Sequence, residues 1–181
     1  MYRKSTARAV GALYLTATAA GVLSAVLLGR RDSPSAAGAL MVLVMGAAIA
    51  LIPPMLFPVL KEHGEGLALG YVAARLLEVV LVFPAALDPG DAWAYAGSSL
   101  FFCLGALILN ALLFRSRLVP RWLSGWALAA VVPYAADACL VGSGVLAMSS
   151  AVHPVLVAPL ALNEMVLAVW LLTKGFRSAA G

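Results

Sequence analysis

Stretches of about 20 predominantly apolar residues recur along the whole of this 181-residue chain, and only short polar gaps separate them. A helix of that length crosses the ~30 Å hydrocarbon core of a bilayer. Inside hydrocarbon the backbone hydrogen bonds must close within each segment, which excludes open sheets and irregular spans. The sequence therefore predicts an all-α, polytopic membrane protein built as one helical bundle.

The composition agrees with a membrane protein. Hydrophobic residues make up 64% of the chain and charged residues 11%, whereas about a quarter of the residues are charged in soluble domains. The formal net charge is +4, but the basic residues lie at segment ends and not in a patch interleaved with exposed aromatic residues. The lipid bilayer is therefore the expected partner, and no nucleic-acid partner is expected.

Six membrane spans can be drawn, and breaker residues and charges mark the gaps between them. The first run is too long for the apolar region of a cleaved signal peptide and is interpreted as a membrane helix. No gap has room for a separate domain, so residues 1–181 are predicted to form a single transmembrane domain. The predicted spans are 9–28, 36–60, 67–87, 93–114, 123–146 and 154–173.

Lysine and arginine residues are divided unevenly between the two ends of these spans. The positive-inside rule places the basic side in the cytoplasm. With a cytoplasmic N-terminus, nine basic residues fall inside and only Arg30 and Arg31 fall outside, which predicts an N-in, C-in orientation. The inside set is Arg3, Lys4, Arg8, Lys61, Arg115, Arg117, Arg121, Lys174 and Arg177. The aromatic residues expected at headgroup level are Trp93, Tyr95, Trp122 and Trp126.

Four ionisable residues lie inside the predicted spans. Arg75 and Glu78 lie near the middle of the third span, Asp137 near or slightly beyond the middle of the fifth, and Glu164 at the middle of the sixth. A charge at the bilayer midplane costs ~2.5–3.5 kcal/mol on insertion scales. These side chains are therefore expected to face inward, at a common depth, toward one another or toward a wet cavity.

The charges in this set do not balance. One guanidinium, which keeps its proton in a protein, stands against three carboxyls. Full ionisation would leave a net charge of minus two in a low-dielectric interior, so we expect one carboxyl to keep its proton or a cation to bind. A protonated acid beside an ionised carboxylate is what acid and base catalysis requires. Glu78, Asp137 and Glu164 are therefore the candidate catalytic residues.

Other polar residues accompany these carboxyls. Arg75, Asn110, Tyr134 and Asn163 are candidates for binding a substrate, although interhelical amide hydrogen bonds are also common in membrane bundles. The ionic set itself has a structural alternative, in which Arg75 fastens three helices together through the carboxylates. Prolines are expected to interrupt or bend the second, third, fifth and sixth helices and to leave room for a cavity. They are Pro53, Pro54, Pro58, Pro84, Pro133 and Pro159.

No metal or cofactor is expected from the sequence. Neither His63 nor His153 has ligand spacing to another His, Cys or carboxylate. Cys103 and Cys139 both fall inside apolar segments and are predicted to be small core residues. The sequence also lacks an Asp-rich magnesium motif, which argues against a reaction that ionises a diphosphate.

Three stretches resemble one family. RKSTARAVGALYLTATAAG, NALLFRSRLVPRWLSGWAL and PLALNEMVLAVWLLTKG are similar to segments of the bacterial multi-pass proteins grouped as domain of unknown function 4386. Members of that family resemble this chain in carrying Arg and Glu three positions apart in the third helix, here Arg75 and Glu78, and an acidic residue in the last helix, here Glu164. The resemblance implies a six-helix bundle in a bacterial inner membrane and implies no activity.

Three different functions would explain these polar residues within the membrane spans. The first is a membrane-embedded enzyme that cyclises or isomerises a lipophilic, isoprenoid-like substrate by protonation and deprotonation without a metal. The second is a proton-coupled carrier or channel for a small cation; with six helices it is expected to form a homo-oligomer. The third is a non-catalytic membrane assembly subunit in which the charges are structural. A cavity beside the carboxyls, or its absence, distinguishes the first two from the third.

Overall fold

The computed structural model describes residues 2–28, 36–88 and 90–177, with side chains from residue 4 onward. Each of its six long helices has the length and apolar character needed to cross a membrane, and no strand occurs in these ranges. The all-α, multi-pass prediction is confirmed. The helices are α1 (Tyr2–Leu28), α2 (Ala36–Leu60), α3 (Glu65–Leu87), α4 (Ala92–Ser116), α5 (Arg121–Gly142) and α6 (Val152–Thr173), with a 3₁₀ turn at Lys61–His63 between α2 and α3.

Most helix bounds lie within two residues of the predicted spans. The first helix is longer than predicted because its polar first turns, from Tyr2, remain helical. The fifth helix is shorter, since it ends at Gly142 and not at residue 146. Gly144 follows with φ +74°, a left-handed conformation that stops an α-helix and that glycine adopts without strain. The early end of α5 changes the depth of Asp137, as described below.

The prolines do not break the helices. Pro53, Pro54 and Pro58 lie inside α2, Pro84 inside α3, and Pro133 and Pro159 inside α5 and α6, and each of these helices is continuous. The predicted interruption is therefore wrong. A proline removes one backbone hydrogen bond from its helix, and packing against neighbouring helices in a membrane bundle tolerates that loss.

The six helices form a closed ring. Each helix packs against the next one in sequence, and α6 packs back against α1. Neighbouring helices run antiparallel: between α1 and α2, Gly38 lies against Leu28 and Gly21 lies against Met45, so residue numbers rise along one helix as they fall along the other. We call the end that carries Lys61, Arg115, Arg121 and Lys174 the basic end. The opposite end, where α1, α3 and α5 finish and α2, α4 and α6 begin, is called the cavity end.

The half of the ring toward the basic end is filled with side chains. One apolar cluster draws on the first half of α1, α3 and α5 and on the second half of α2, α4 and α6. The fully buried side chains of this cluster come from every helix, and the chain after α6 closes it from below through Phe176. They include Val10, Leu56, Tyr71, Leu112, Leu123 and Leu171.

The outer surface of the ring is apolar. Leu69, Val80, Val132 and Val155 are each more than half exposed, which suits contact with lipid chains. Trp93 and Trp122 are exposed at the first turns of α4 and α5, near the ends of the spans. The prediction that both cysteines are core residues is wrong for Cys139, which is exposed, whereas Cys103 is buried. Trp126, near the start of α5, is half-buried and packs against the core.

The orientation in the membrane stays a prediction. Arg30 and Arg31, which form the predicted outside set, lie outside the described residues, as does the side chain of Arg3. The described basic residues Lys61, Arg115 and Lys174 do share one end of the ring, as the N-in, C-in prediction requires. Under that prediction the basic end faces the cytoplasm and the cavity end faces outward.

Helices α1 and α6 approach closely at Gly11. A Cβ atom on Gly11 would lie 2.7 Å from the backbone oxygen of Ala168 and 2.9 Å from Leu172 Cγ. Because a backbone oxygen yields only if α6 moves, we expect Gly11→Ala to lower the free energy of unfolding by about 1–3 kcal/mol. The measurement is unfolding by sodium dodecyl sulfate in mixed micelles.

Gly70→Ala is the matched control for Gly11. A Cβ atom on Gly70 would make an ordinary contact of 3.7 Å with Ile108 Cδ1. Since alanine is the better helix former by about 1 kcal/mol, this variant is expected to be as stable as the wild type or more stable. Equal destabilisation at both glycines would contradict the close approach of α1 and α6.

Candidate functional site

A cavity of about 690 Å³ occupies the half of the ring toward the cavity end. All six helices contribute to its wall, and it extends from Glu78 and Glu164 to the ends of the helices at Leu28, Ala86 and His153. Its volume falls within the usual range of small-molecule sites, about 300–1,000 Å³. The polar and aromatic residues of the wall are Ser24, Glu78, Tyr95, Ser98, Ser99, Phe102, Tyr134, His153 and Glu164.

Arg75 and Glu78 pair along one face of α3. Arg75 Nη1 lies 2.8 Å from Glu78 Oε2, and both side chains are buried. The contact is short but poorly directed: throughout the described part of the chain, Arg75 Nε and Glu78 Oε2 have no hydrogen-bond partner. Gly105 of α4 makes room for the guanidinium stem, because a Cβ atom there would lie 2.8 Å from Arg75 Cδ. Glu78 reaches the cavity from this pair.

Glu164 faces the same cavity from α6 and is half-buried. It lies within electrostatic range of Arg75, yet no hydrogen bond or ion pair to its carboxyl is found among the described residues. Arg75 thus forms its ion pair with Glu78, and Glu164 is the unpaired carboxyl of the site. The sequence predicts more carboxyls than Arg75 can pair with, and the unpaired carboxyl of Glu164 is one of these.

Asp137 belongs to a different cluster. Its carboxylate, which is fully buried, lies 2.9 Å and 3.0 Å from His153 Nδ1 and accepts a 2.7 Å hydrogen bond from the Tyr95 hydroxyl. His153 precedes Glu164 by eleven residues on α6, a separation of about 16 Å along the helix. The predicted common depth is wrong for Asp137, because α5 ends at Gly142 and Asp137 is only five residues from that end.

The remaining predicted binding residues divide into two groups. Tyr134 lines the cavity, with its ring 5.2 Å from that of Phe102. Asn110 Nδ2 donates to Ala106 O on its own helix, and Asn163 Nδ2 donates to Leu123 O across the α5–α6 contact. Both amides are buried and neither belongs to the cavity wall as described. Asn163 thus bridges two helices, as the structural alternative for this residue requires.

Sequence reasoning missed the partners of Asp137. It predicts Tyr95 at headgroup level, and it finds no ligand at a suitable spacing in sequence from His153. A signal exists nonetheless: Ser143 and Gly144 indicate where α5 ends. Antiparallel neighbours joined by a short connection bring the end of one helix beside the start of the next, which places Asp137 beside His153.

The aromatic wall connects with the ion pair. The guanidinium carbon of Arg75 lies 5.3 Å from the centre of the Phe102 ring, within cation–π distance. Phe102 contacts Tyr134 in turn.

Across residues 2–28, 36–88 and 90–177, no group of three or more His, Cys, Asp or Glu side chains is arranged to hold a metal ion. The cavity therefore combines two carboxyls, one imidazole and a run of aromatic rings.

Comparison with known proteins identifies a family. The family model of domain of unknown function 4386 matches residues 85–175, about half of the chain. The match covers α4, α5 and α6, and with them Tyr95, Asp137, His153 and Glu164, whereas Glu78 lies before it. No curated protein and no solved structure matches the chain.

Proposed function

Because the chain belongs to the family of domain of unknown function 4386, whose name carries no activity, we propose a function from the chemistry of the cavity. The protein is a membrane-embedded acid/base enzyme that cyclises or isomerises a lipophilic, isoprenoid-like substrate. The observation that carries this proposal is the presence of two carboxyls from different helices, Glu78 and Glu164, on the wall of one largely apolar cavity. We place the enzyme in a bacterial inner membrane, with the cavity end facing outward.

The two carboxyls differ in their surroundings, and this assigns their roles. Glu164 has no ion-pair partner within the described ranges, so the protonated form is favoured in a low-dielectric cavity and acts as the acid. Glu78 lies 2.8 Å from Arg75, and a permanent positive charge favours its ionised form, which acts as the base. Arg75 supports the reaction by holding Glu78 and need not touch the substrate.

The proposed reaction conserves atoms and electrons. The O–H bond of Glu164 breaks, and its proton forms a C–H bond at a carbon–carbon double bond of the substrate. The resulting cation closes a ring or migrates, and a neighbouring C–H bond gives its proton to Glu78. The product is an isomer of the substrate. Glu78 then gives its proton to water at the cavity end, and Glu164 takes up a proton from that water. Phe102 and Tyr134 on the wall are suited to stabilising the intermediate cation through their π faces.

The packed half of the ring favours an enzyme over a carrier. A carrier or channel for a small cation requires a polar path to both faces of the membrane. The cavity wall lies in the half toward the cavity end, and below it the apolar cluster around Leu56, Leu112 and Leu123 is fully buried. An assembly subunit would use the ionic residues as fasteners, but Glu164 fastens nothing within the described ranges.

Deuterium incorporation tests the proposal whichever isomer the enzyme forms. Membranes containing the protein are incubated in deuterium oxide with linear isoprenoid hydrocarbons and alcohols, and the extracted lipids are analysed by mass spectrometry. We expect an isomeric product carrying one solvent deuteron with the wild type and with Leu162→Ala, a control on the exposed face of α6. We expect none with Glu164→Gln. The same labelled product from well-folded Glu164→Gln would overturn the assignment.

A further inference from the structure

The imidazole of His153 is held in one orientation by two other helices. Its Nδ1 atom lies 2.9 Å and 3.0 Å from the two carboxylate oxygens of Asp137 on α5. The Tyr95 hydroxyl on α4 donates to the same carboxylate at 2.7 Å, and the Tyr95 ring meets the imidazole edge-on with centroids 5.4 Å apart. Three helices thus fix one histidine at the cavity end of the ring.

This arrangement determines which ring nitrogen is available. An ionised carboxylate only accepts hydrogen bonds, so in the neutral imidazole the nitrogen facing Asp137 carries the proton and the other nitrogen, Nε2, keeps its lone pair. His153 lines the cavity, and its side chain is 20% exposed. No partner for Nε2 is found in the described part of the chain. Nε2 is therefore an unoccupied hydrogen-bond acceptor on the cavity wall.

A second group of polar side chains lines the cavity at this end. Ser98 and Ser99 line it next to Tyr95, and Ser24 lines it from α1. The carboxyls of Glu78 and Glu164 lie deeper, with apolar side chains such as Val82 and Ala85 on the wall between. His153 and Glu164 are about 16 Å apart along α6. A ligand that satisfies both regions has a polar head and an extended apolar chain.

We propose that His153 Nε2 binds the hydroxyl head of an amphipathic substrate, with Asp137 as its positioning residue. This inference rests on the proposed function and narrows its substrate to a long-chain isoprenoid alcohol or phenol whose reacting double bond lies away from the head, toward the other end of the chain. The hydroxyl donates its hydrogen bond to Nε2. The head keeps its O–H proton throughout the reaction, because the proton exchange takes place at the carboxyls of Glu78 and Glu164.

Nitrogen NMR of the two histidines tests this directly. Protein labelled with ¹⁵N-histidine is reconstituted in lipid nanodiscs, and the spectrum is assigned with His63→Gln, because His63 is the only other histidine of the chain. We expect His153 to be the Nδ1–H tautomer and Asp137→Asn to remove that preference. Farnesol is expected to shift the Nε2 resonance saturably, whereas farnesene, a hydrocarbon of the same length without the hydroxyl, is expected to leave it unshifted.

Two variants at His153 separate binding from folding. An asparagine side chain reproduces the donor at Nδ1 and lacks Nε2, so His153→Asn is expected to fold normally and to weaken farnesol binding about fivefold to tenfold, as for the loss of one hydrogen bond. His153→Gln, which places an amide near the position of Nε2, is expected to retain more of the affinity. Equal affinity of all three proteins would overturn the proposal, as would an Nε2–H tautomer in the wild type or equal shifts from alcohol and hydrocarbon.

The NMR experiment is repeated in Glu164→Gln, where the proposed reaction is removed. A farnesol shift that persists in this variant supports head-group binding independently of the chemistry. If deuterium incorporation is unaffected by Glu164→Gln while the shift is present, the proposed function fails and the binding site stands. If the reaction depends on Glu164 but farnesol leaves the His153 resonance unshifted, the proposed function stands and the proposed binding site fails.

Discussion

Replacement of Glu78 by methionine is expected to lower the free energy of unfolding by about 3–5 kcal/mol, the usual effect of removing one partner from a buried ion pair. Arg75 is 3% exposed and is not part of the cavity wall, so water does little to replace the lost interaction. The guanidinium left behind cannot give up its proton. Its charge then remains in the bundle core, 5.3 Å from the Phe102 ring.

Replacement of Arg75 is expected to lower the free energy of unfolding by less than replacement of Glu78. In Arg75→Met the remaining carboxyl of Glu78 can take up a proton and become neutral, so less free energy is lost than in Glu78→Met. The double variant Arg75→Met, Glu78→Met removes both charges and is expected to recover most of the stability. Unfolding by sodium dodecyl sulfate in mixed micelles gives all three values. A double variant less stable than Glu78→Met would show that the unpaired guanidinium is not the cause of the lost stability, against this account.

Glu164→Gln is expected to reduce the rate of isomer formation by about 10²–10⁴-fold, the usual contribution of a general acid. The amide has nearly the shape of the carboxyl, but it has no proton acidic enough for a carbon–carbon double bond. Because no described residue pairs with Glu164, the substitution leaves no buried partner unsatisfied. Its free energy of unfolding is therefore expected to stay within about 0.5 kcal/mol of the wild-type value.

The rate is measured as deuterium incorporated into the product under single-turnover conditions. Leu162→Ala, on the lipid-facing side of the same helix, controls for general effects of substitution in α6. Glu164→Asp keeps the acid but withdraws it by one methylene, and we expect an intermediate rate. A rate for Glu164→Gln equal to that of Leu162→Ala would remove Glu164 from the proposed mechanism.

The six spans are predictable from the sequence because apolar length is a strong signal in a membrane protein. The proximity of Arg75, Glu78 and Glu164 is predictable too, since each is near the middle of its span. Asp137 is predicted too deep for a local reason. A left-handed glycine at position 144 ends α5 early. The apolar pattern of the sequence continues past residue 142 and therefore does not indicate where the helix ends.

The partners of Asp137 could not be predicted from spacing. His153 and Tyr95 come from the helices that flank α5 in the ring, and a pattern within one segment carries no information about which neighbour it faces. Histidine and tyrosine near a span end are also ordinary residues of the membrane interface. Helix order and the early end of α5 together are needed to bring the three residues together.

Because the ring has a cavity at one end and a packed apolar core at the other, its carboxyls exchange protons only with the compartment at the cavity end. In the proposed reaction, every proton that Glu164 gives up and Glu78 accepts enters and leaves from the cavity end, because the cluster around Leu56 and Tyr71 fills the opposite half. No charge then crosses the membrane during turnover. The transmembrane potential, worth about 2.3 kcal/mol per charge moved through 100 mV, neither drives nor opposes the reaction.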